Sequence, residues 1–187
     1  AVKSSMDFES AFTSVRKTVD ATEAEYGALS DSVKQMSTEV ATSASNIAEV
    51  MANAGQLGIQ NDYLVDFTRT MIDLGNSTDI VANEAASTLA KFANITNMDQ
   101  SLFGNLGATL VDLGNKFATT ESSIMDMSLR LAAAGHQVGL SEAQILGFAA
   151  ALSSVGIEAE MGGSAFSKAL VKMEVAAATG GEALEDF

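Results

Sequence analysis

The chain has 187 residues and a formal net charge of −14; 47% of its residues are hydrophobic but only 6% are aromatic. Its ten basic residues stand singly apart from Arg16 and Lys17, which excludes a phosphate-backbone binder and disfavours an anionic membrane surface. The absence of cysteine removes disulfides and thiolate metal sites and fits a reducing compartment, and no apolar run approaches the roughly 20 residues of a membrane span.

Alanine supplies much of the apolar fraction, so each buried side chain contributes little and the core should be thin. The lack of proline points to helices joined by short turns. Phe8, Phe12, Val15 and Val19 share one helical face and predict a first helix over roughly residues 6 to 20. Thr22 and Glu25 form a capping box, in which hydroxyl and carboxylate reciprocally satisfy free backbone N–H groups. The helix it opens carries Tyr26, Leu29, Val33, Met36 and Val40, enough for a helical hairpin but short for a free coiled coil. Small polar residues over 41–46 offer an N-cap to a helix with Ile47, Val50, Met51, Ala54 and Leu57.

Leu64, Phe67, Met71 and Leu74 stripe the next helix, whose outer face places Asp66 and Asp73 to pair with Arg69; Gly75 is expected to end it. Ser77 or Thr78 should cap a helix with Val81, Ala85, Leu89 and Phe92 inward. A further stripe is Leu102, Leu106, Leu110, Leu113 and Phe117, weakened by Gly104 and Gly107 by about 1 kcal/mol each relative to alanine. Thr120 caps Ile124 to Ala134, and Ser141 caps Ile145 to Val155. A last helix is expected from near Ser164, with Phe166, Leu170 and Met173. Nothing alternates with period two. The expected fold is all-α, about seven to nine short helices in a multi-helix bundle without a sheet.

Leu57-Gly58-Ile59, Val138-Gly139-Leu140 and Val155-Gly156-Ile157 repeat one form of punctuation. Glycine enters a left-handed backbone after a last helical turn without a Cβ penalty, and the apolar residue behind it folds back. Gly58, Gly139 and Gly156 are therefore structural helix stops. They divide the chain into N-terminal helices, 1–57, and a glycine-punctuated helical core, 58–187. The helical pattern runs up to Phe187, which suggests a fragment of a longer chain.

No constellation of catalytic, cofactor-binding or metal-ligating residues stands out. Glu121, the candidate general acid of a muralytic enzyme, sits in a first helical turn, where the helix dipole favours a solvated carboxylate. His136 is the only histidine and lies at a helix end, with no second ligand to form a zinc site. Gly162-Gly163-Ser164 lacks the lysine of a phosphate loop and reads as a close helix crossing. Asp62/Asp66 and Glu158/Glu160 lack calcium-loop spacing. The nine methionines mostly fall at core spacing.

Asn53–Ile59, Leu64–Met71, Ala86–Asn94, Gly114–Glu121, Gly139–Gln144 and Ala150–Ile157, followed by Gly163-Ser164-Ala-Phe166, resemble the core region of phage tail tape measure proteins in order and spacing. Phe8–Phe12 and Val15–Asp20 are similar to the opening of that region. The resemblance implies a long, mostly helical, non-enzymatic protein that templates the tail tube and sets tail length. It implies tail tube protein, tail assembly chaperones and other tape measure copies as partners; the acidic composition argues against nucleic acid, and the motifs call for no cofactor. It also implies a place inside the virion tail, after a period in host cytoplasm during assembly. Alternatives from other classes are a muralytic, lysozyme-like domain of a tail protein and a bacterial helical partner-binding module. Helices such as Ile145 to Val155 are apolar nearly all round, which predicts either a central position or an exposed apolar patch that leads to self-association.

Overall fold

A computed structural model describes residues 2–179. Among the described residues there are nine α-helices, one 3-10 turn and no strand, in agreement with the expected all-α class. The chain divides into two compact units, one formed by Ala1–Ala93 with Asp99–Ala108 and one by Asn94–Met98 with Thr109–Phe187.

The first unit holds α1 (Val2–Thr18), α2 (Glu23–Glu39), α3 (Ala44–Gln56), α4 (Asn61–Ser77), most of α5 (Ala82–Thr96), a 3-10 turn (Gln100–Leu102) and the start of α6 (Phe103–Lys116). Phe8, Phe12 and Val15, with Val19 just past the helix end, form the buried stripe of α1, which lies along α3. The two helices approach closely because Gly55 has no side chain: a Cβ there would lie 2.5 Å from Val19 Cγ2. Thr22 and Glu25 close the capping box, with the Thr22 N–H donating to Glu25 Oε2 at 2.6 Å. The Tyr26 hydroxyl donates to the Val19 carbonyl at 2.5 Å, and the Arg16 guanidinium grips Glu23 through two bonds of 2.7 and 3.0 Å. Leu64, Phe67, Met71 and Leu74 fill the centre from α4, and the Phe103 ring meets Phe67 edge-on at 4.6 Å.

Several local expectations are corrected here. Gly75 does not end α4, which runs on to Ser77 and closes at Thr78; instead Gly75 lies against Ala82, where a Cβ would sit 2.9 Å from Ala82 Cβ. Neither Ser77 nor Thr78 caps α5, because the Thr78 hydroxyl is spent on the Leu74 carbonyl and the Ile80 N–H. Val81 therefore points outward at 69% exposure, and Ile80 is buried in its place. Arg69 pairs with Glu39 on α2 rather than with an acid of its own helix. Leu102 is exposed and Phe103 is buried, since Asp99 accepts the Ser101 N–H and starts a 3-10 turn that shifts the inward face by one residue.

The second unit holds α7 (Glu121–Gln137), α8 (Glu142–Ser154) and α9 (Ala159–Thr179), with the end of α6. Both α8 and α9 pack on α7. Ile124, Met125, Met127, Leu131, Ile145, Leu146, Ala149 and Ala150 make its core. Thr120 caps α7 by accepting the Ser123 N–H, and Ser141 with Gln144 forms a second capping box at α8. The last helix starts at Ala159, earlier than expected, because Glu158 O already accepts the Gly162 N–H at 2.8 Å. Phe117 and Met173, expected on inward stripes, are 39% and 54% exposed.

Candidate functional site

Three glycine corners of one backbone geometry recur among the described residues. Gly58, Gly139 and Gly156 carry φ of +86°, +80° and +78°. Each donates its N–H to the carbonyl three residues back, Gly55, His136 and Ser153 respectively, at 3.0–3.1 Å. The following residues, Ile59, Leu140 and Ile157, donate to the carbonyls five residues before them, Ala54, Gly135 and Leu152, at 3.1, 2.9 and 3.2 Å. This pair of bonds satisfies carbonyls that a helix end otherwise leaves open, and the left-handed residue reverses the chain within two residues. The corners are α3–α4, α7–α8 and α8–α9. No atom lies within 4 Å of a Cβ built at any of the three glycines, so backbone conformation alone selects glycine there.

Other glycines serve close packing. A Cβ at Gly163 would overlap the Arg130 side chain on α7, and one at Gly162 would overlap Ile157 and approach Met127 Cε at 2.9 Å. The Gly162-Gly163 pair is thus where α9 crosses α7. Gly107 meets Thr70 Cγ2 in the same way, at 2.9 Å from an added Cβ.

The apolar character of α8 divides. Ile145, Leu146, Ala149 and Ala150 are buried, whereas Phe148 and Val155 are 40% and 71% exposed. Phe148 stacks on Phe166 of α9 at 4.9 Å. Between α8 and α9 runs a groove of about 420 Å³ lined by Leu152, Ile157, Met161, Ala165 and Phe166 among others.

Glu121 stands in the first turn of α7 with its side chain against Gly114, and His136 is exposed in the last turn of the same helix. Asp62 and Asp66 lie exposed on α4. Glu160 reaches Arg130 at 3.3 Å, a contact between exposed groups. No set of three or more His, Cys, Asp or Glu side chains among the described residues is placed to hold a metal ion, and no described helix is long and apolar enough to cross a membrane. Sequence reasoning missed Gln100, whose side chain clamps the α3–α4 corner from forty residues away; no local pattern marks it.

Residues 30–187 match the family described as Phage-related minor tail protein, and the chain belongs to that family. It is also 25% identical over 191 aligned positions to a protein named "Probable tape measure protein" of Halomonas phage phiHAP-1, an alignment that covers 95% of this chain and 22% of that relative. The chain therefore spans about a fifth of the length of the curated relative it matches. No solved structure matches it.

Proposed function

We propose that the chain is a core segment of a tape measure protein, a structural component of a phage tail whose length sets the length of the tail tube. The observation that carries this reading is the similarity to the Halomonas phage protein along 95% of the chain, in a family of minor tail proteins. The physical character of the chain supports it, because a ruler needs many helices with defined ends. In this reading the long protein lies in the tail interior, assembles there after release from chaperones in host cytoplasm, and contacts the tube protein and other copies. Residues 1–57 and 58–187 are two sections of that core.

In-frame duplication of these residues in the full-length gene tests the reading by electron microscopy of tails. A helix rises about 1.5 Å per residue, so a duplication laid out as continuous helix lengthens the tail by up to roughly 280 Å. Tails of unchanged length overturn the ruler function. The segment is further proposed to be catalytically silent. Purified chain should leave peptidoglycan intact, and Glu121→Gln should change nothing; a clearing activity lost in that variant would establish a muralytic domain.

A further inference from the structure

The three corners share one backbone and differ in what covers them. At α3–α4 the residue before the second helix, Gln60, donates its N–H to Gln100 Oε1 at 2.9 Å, and Gln100 Nε2 donates to the Gly58 carbonyl at 3.3 Å. Three residues after that glutamine, Phe103 meets Phe67 edge-on; Phe67 is itself nine residues after the corner glycine. At α7–α8 the equivalent N–H, of Ser141, is taken by Gln144 Oε1 at 2.9 Å. Phe148, nine residues after Gly139, meets Phe166 at 4.9 Å. In both corners a carboxamide closes the helix start and an aromatic ring closes the apolar side.

At α8–α9 neither element is supplied. The residue before the helix is Glu158, and the position that Gln144 fills at the preceding corner is Met161, whose thioether cannot replace a carboxamide acceptor. Among the described residues no hydrogen bond reaches the Glu158 N–H or the Gly156 carbonyl. Beside them lies the groove between Leu152, Ile157, Met161, Ala165 and Phe166, with Met161 72% exposed. Asp126, Glu158 and Glu160 line the adjoining hollow.

We propose that the α8–α9 corner is a docking site for the first turn of a partner helix that carries a glutamine and, three positions later, an aromatic residue. The chain's own Gln100–Phe103 segment, seated on the α3–α4 corner, is the template for the fit; Ala165 stands where Phe67 does there, so the partner's ring lies in the groove wall formed by Ala165 and Phe166. Charge selects the partner further. With Glu160 paired to Arg130, Asp126 and Glu158 repel a glutamate in place of the glutamine and favour a first turn that is neutral or carries lysine or arginine. The same carboxylates disfavour a second copy of this strongly acidic chain. The surface belongs to this segment whatever tail length it sets, so the proposal stands apart from the ruler reading.

The test is fluorescence anisotropy of the 187-residue chain with a labelled, C-terminally amidated peptide of residues 97–108, in which Asp99→Asn removes the peptide's one side-chain carboxylate. Saturable binding is expected, weakened at least about tenfold by Gln100→Glu or Phe103→Ala in the peptide. Met161→Glu in the protein should weaken it as much, with helical circular dichroism unchanged because the side chain is exposed. Ala165→Glu, on the same groove wall and also exposed, serves as the second protein variant. Absence of saturable binding, or binding indifferent to both protein variants, overturns the proposal. A dimer in light scattering that Met161→Glu abolishes also overturns it, by assigning the groove to a second copy.

Discussion

Gly163 lies against the Cβ of Arg130 so closely that no side chain fits between α9 and α7. The crossing depends on that missing methyl group. Gly163→Ala should therefore destabilise the second unit by about 1–3 kcal/mol through overpacking. Gly104 supplies the control, because nothing lies within 4 Å of a Cβ built there. Gly104→Ala should be neutral or stabilising by up to about 1 kcal/mol, from helix propensity. Urea titrations followed by circular dichroism separate the two; equal effects would show that the crossing has room to yield.

The corner glycines respond to a different cause. Gly156→Ala meets no neighbour, so its cost is the left-handed backbone alone, about 1 kcal/mol. Gly156→Asn should cost less, since asparagine tolerates that conformation better. An alanine variant as stable as the parent would contradict this account.

Phe67 is 1% exposed and meets Phe103 edge-on. Phe67→Ala should cost about 3–5 kcal/mol, and Phe67→Leu distinctly less, because most of the volume is kept. Thermal melts of the two variants give the order; a reversed order would remove Phe67 from the centre of the first unit.

Acid should loosen the chain through particular carboxylates. The Thr22 backbone N–H, and then its hydroxyl, hold the Glu25 carboxyl below its ordinary range. The Arg16 guanidinium does the same for Glu23, and the Ser101 N–H for Asp99. Each binds protons less readily folded than unfolded. Their contribution is complete above the unfolded carboxylate range of about 4 and is lost as pH falls through the lower folded values. Glu25→Gln should accordingly flatten the decline of melting temperature below about pH 4.5. A variant with the parent's full acid slope would exclude the capping box as a contributor.

Local order was legible where a short pattern has one physical meaning. Thr22-x-x-Glu25 and Ser141-x-x-Gln144 are capping boxes in sequence and in space. The inward stripes of α1 to α4 follow from period alone. Glycine was ambiguous, because the same letter serves a left-handed turn and a close helix crossing. Gly75 reads as a stop, yet it lies within α4 because Ala82 comes close to it, a fact carried by the return of the chain. The start of α9 was placed late for the same reason, with Gly162 and Gly163 taken up by Met127 and Arg130 on another helix. Arg69 could find acids on its own helix, and only the packing of α2 beside α4 offers it Glu39. The groove at the last corner was visible only as excess apolar character in α8. Its open hydrogen-bonding groups appear only when three corners are laid side by side.

Those corners also set how the chain should answer tension. Gly156 is turned by backbone bonds without a side-chain latch, whereas Gly58 is bolted by Gln100 on both sides of the bend. A protein drawn lengthwise would straighten first at the unlatched joint and last at the bolted one. Single-molecule extension should record two opening events of unequal force, with Gln100→Ala lowering only the higher. The segment is thus graded along its length, with a stiff joint near its start and a compliant one nearer its end.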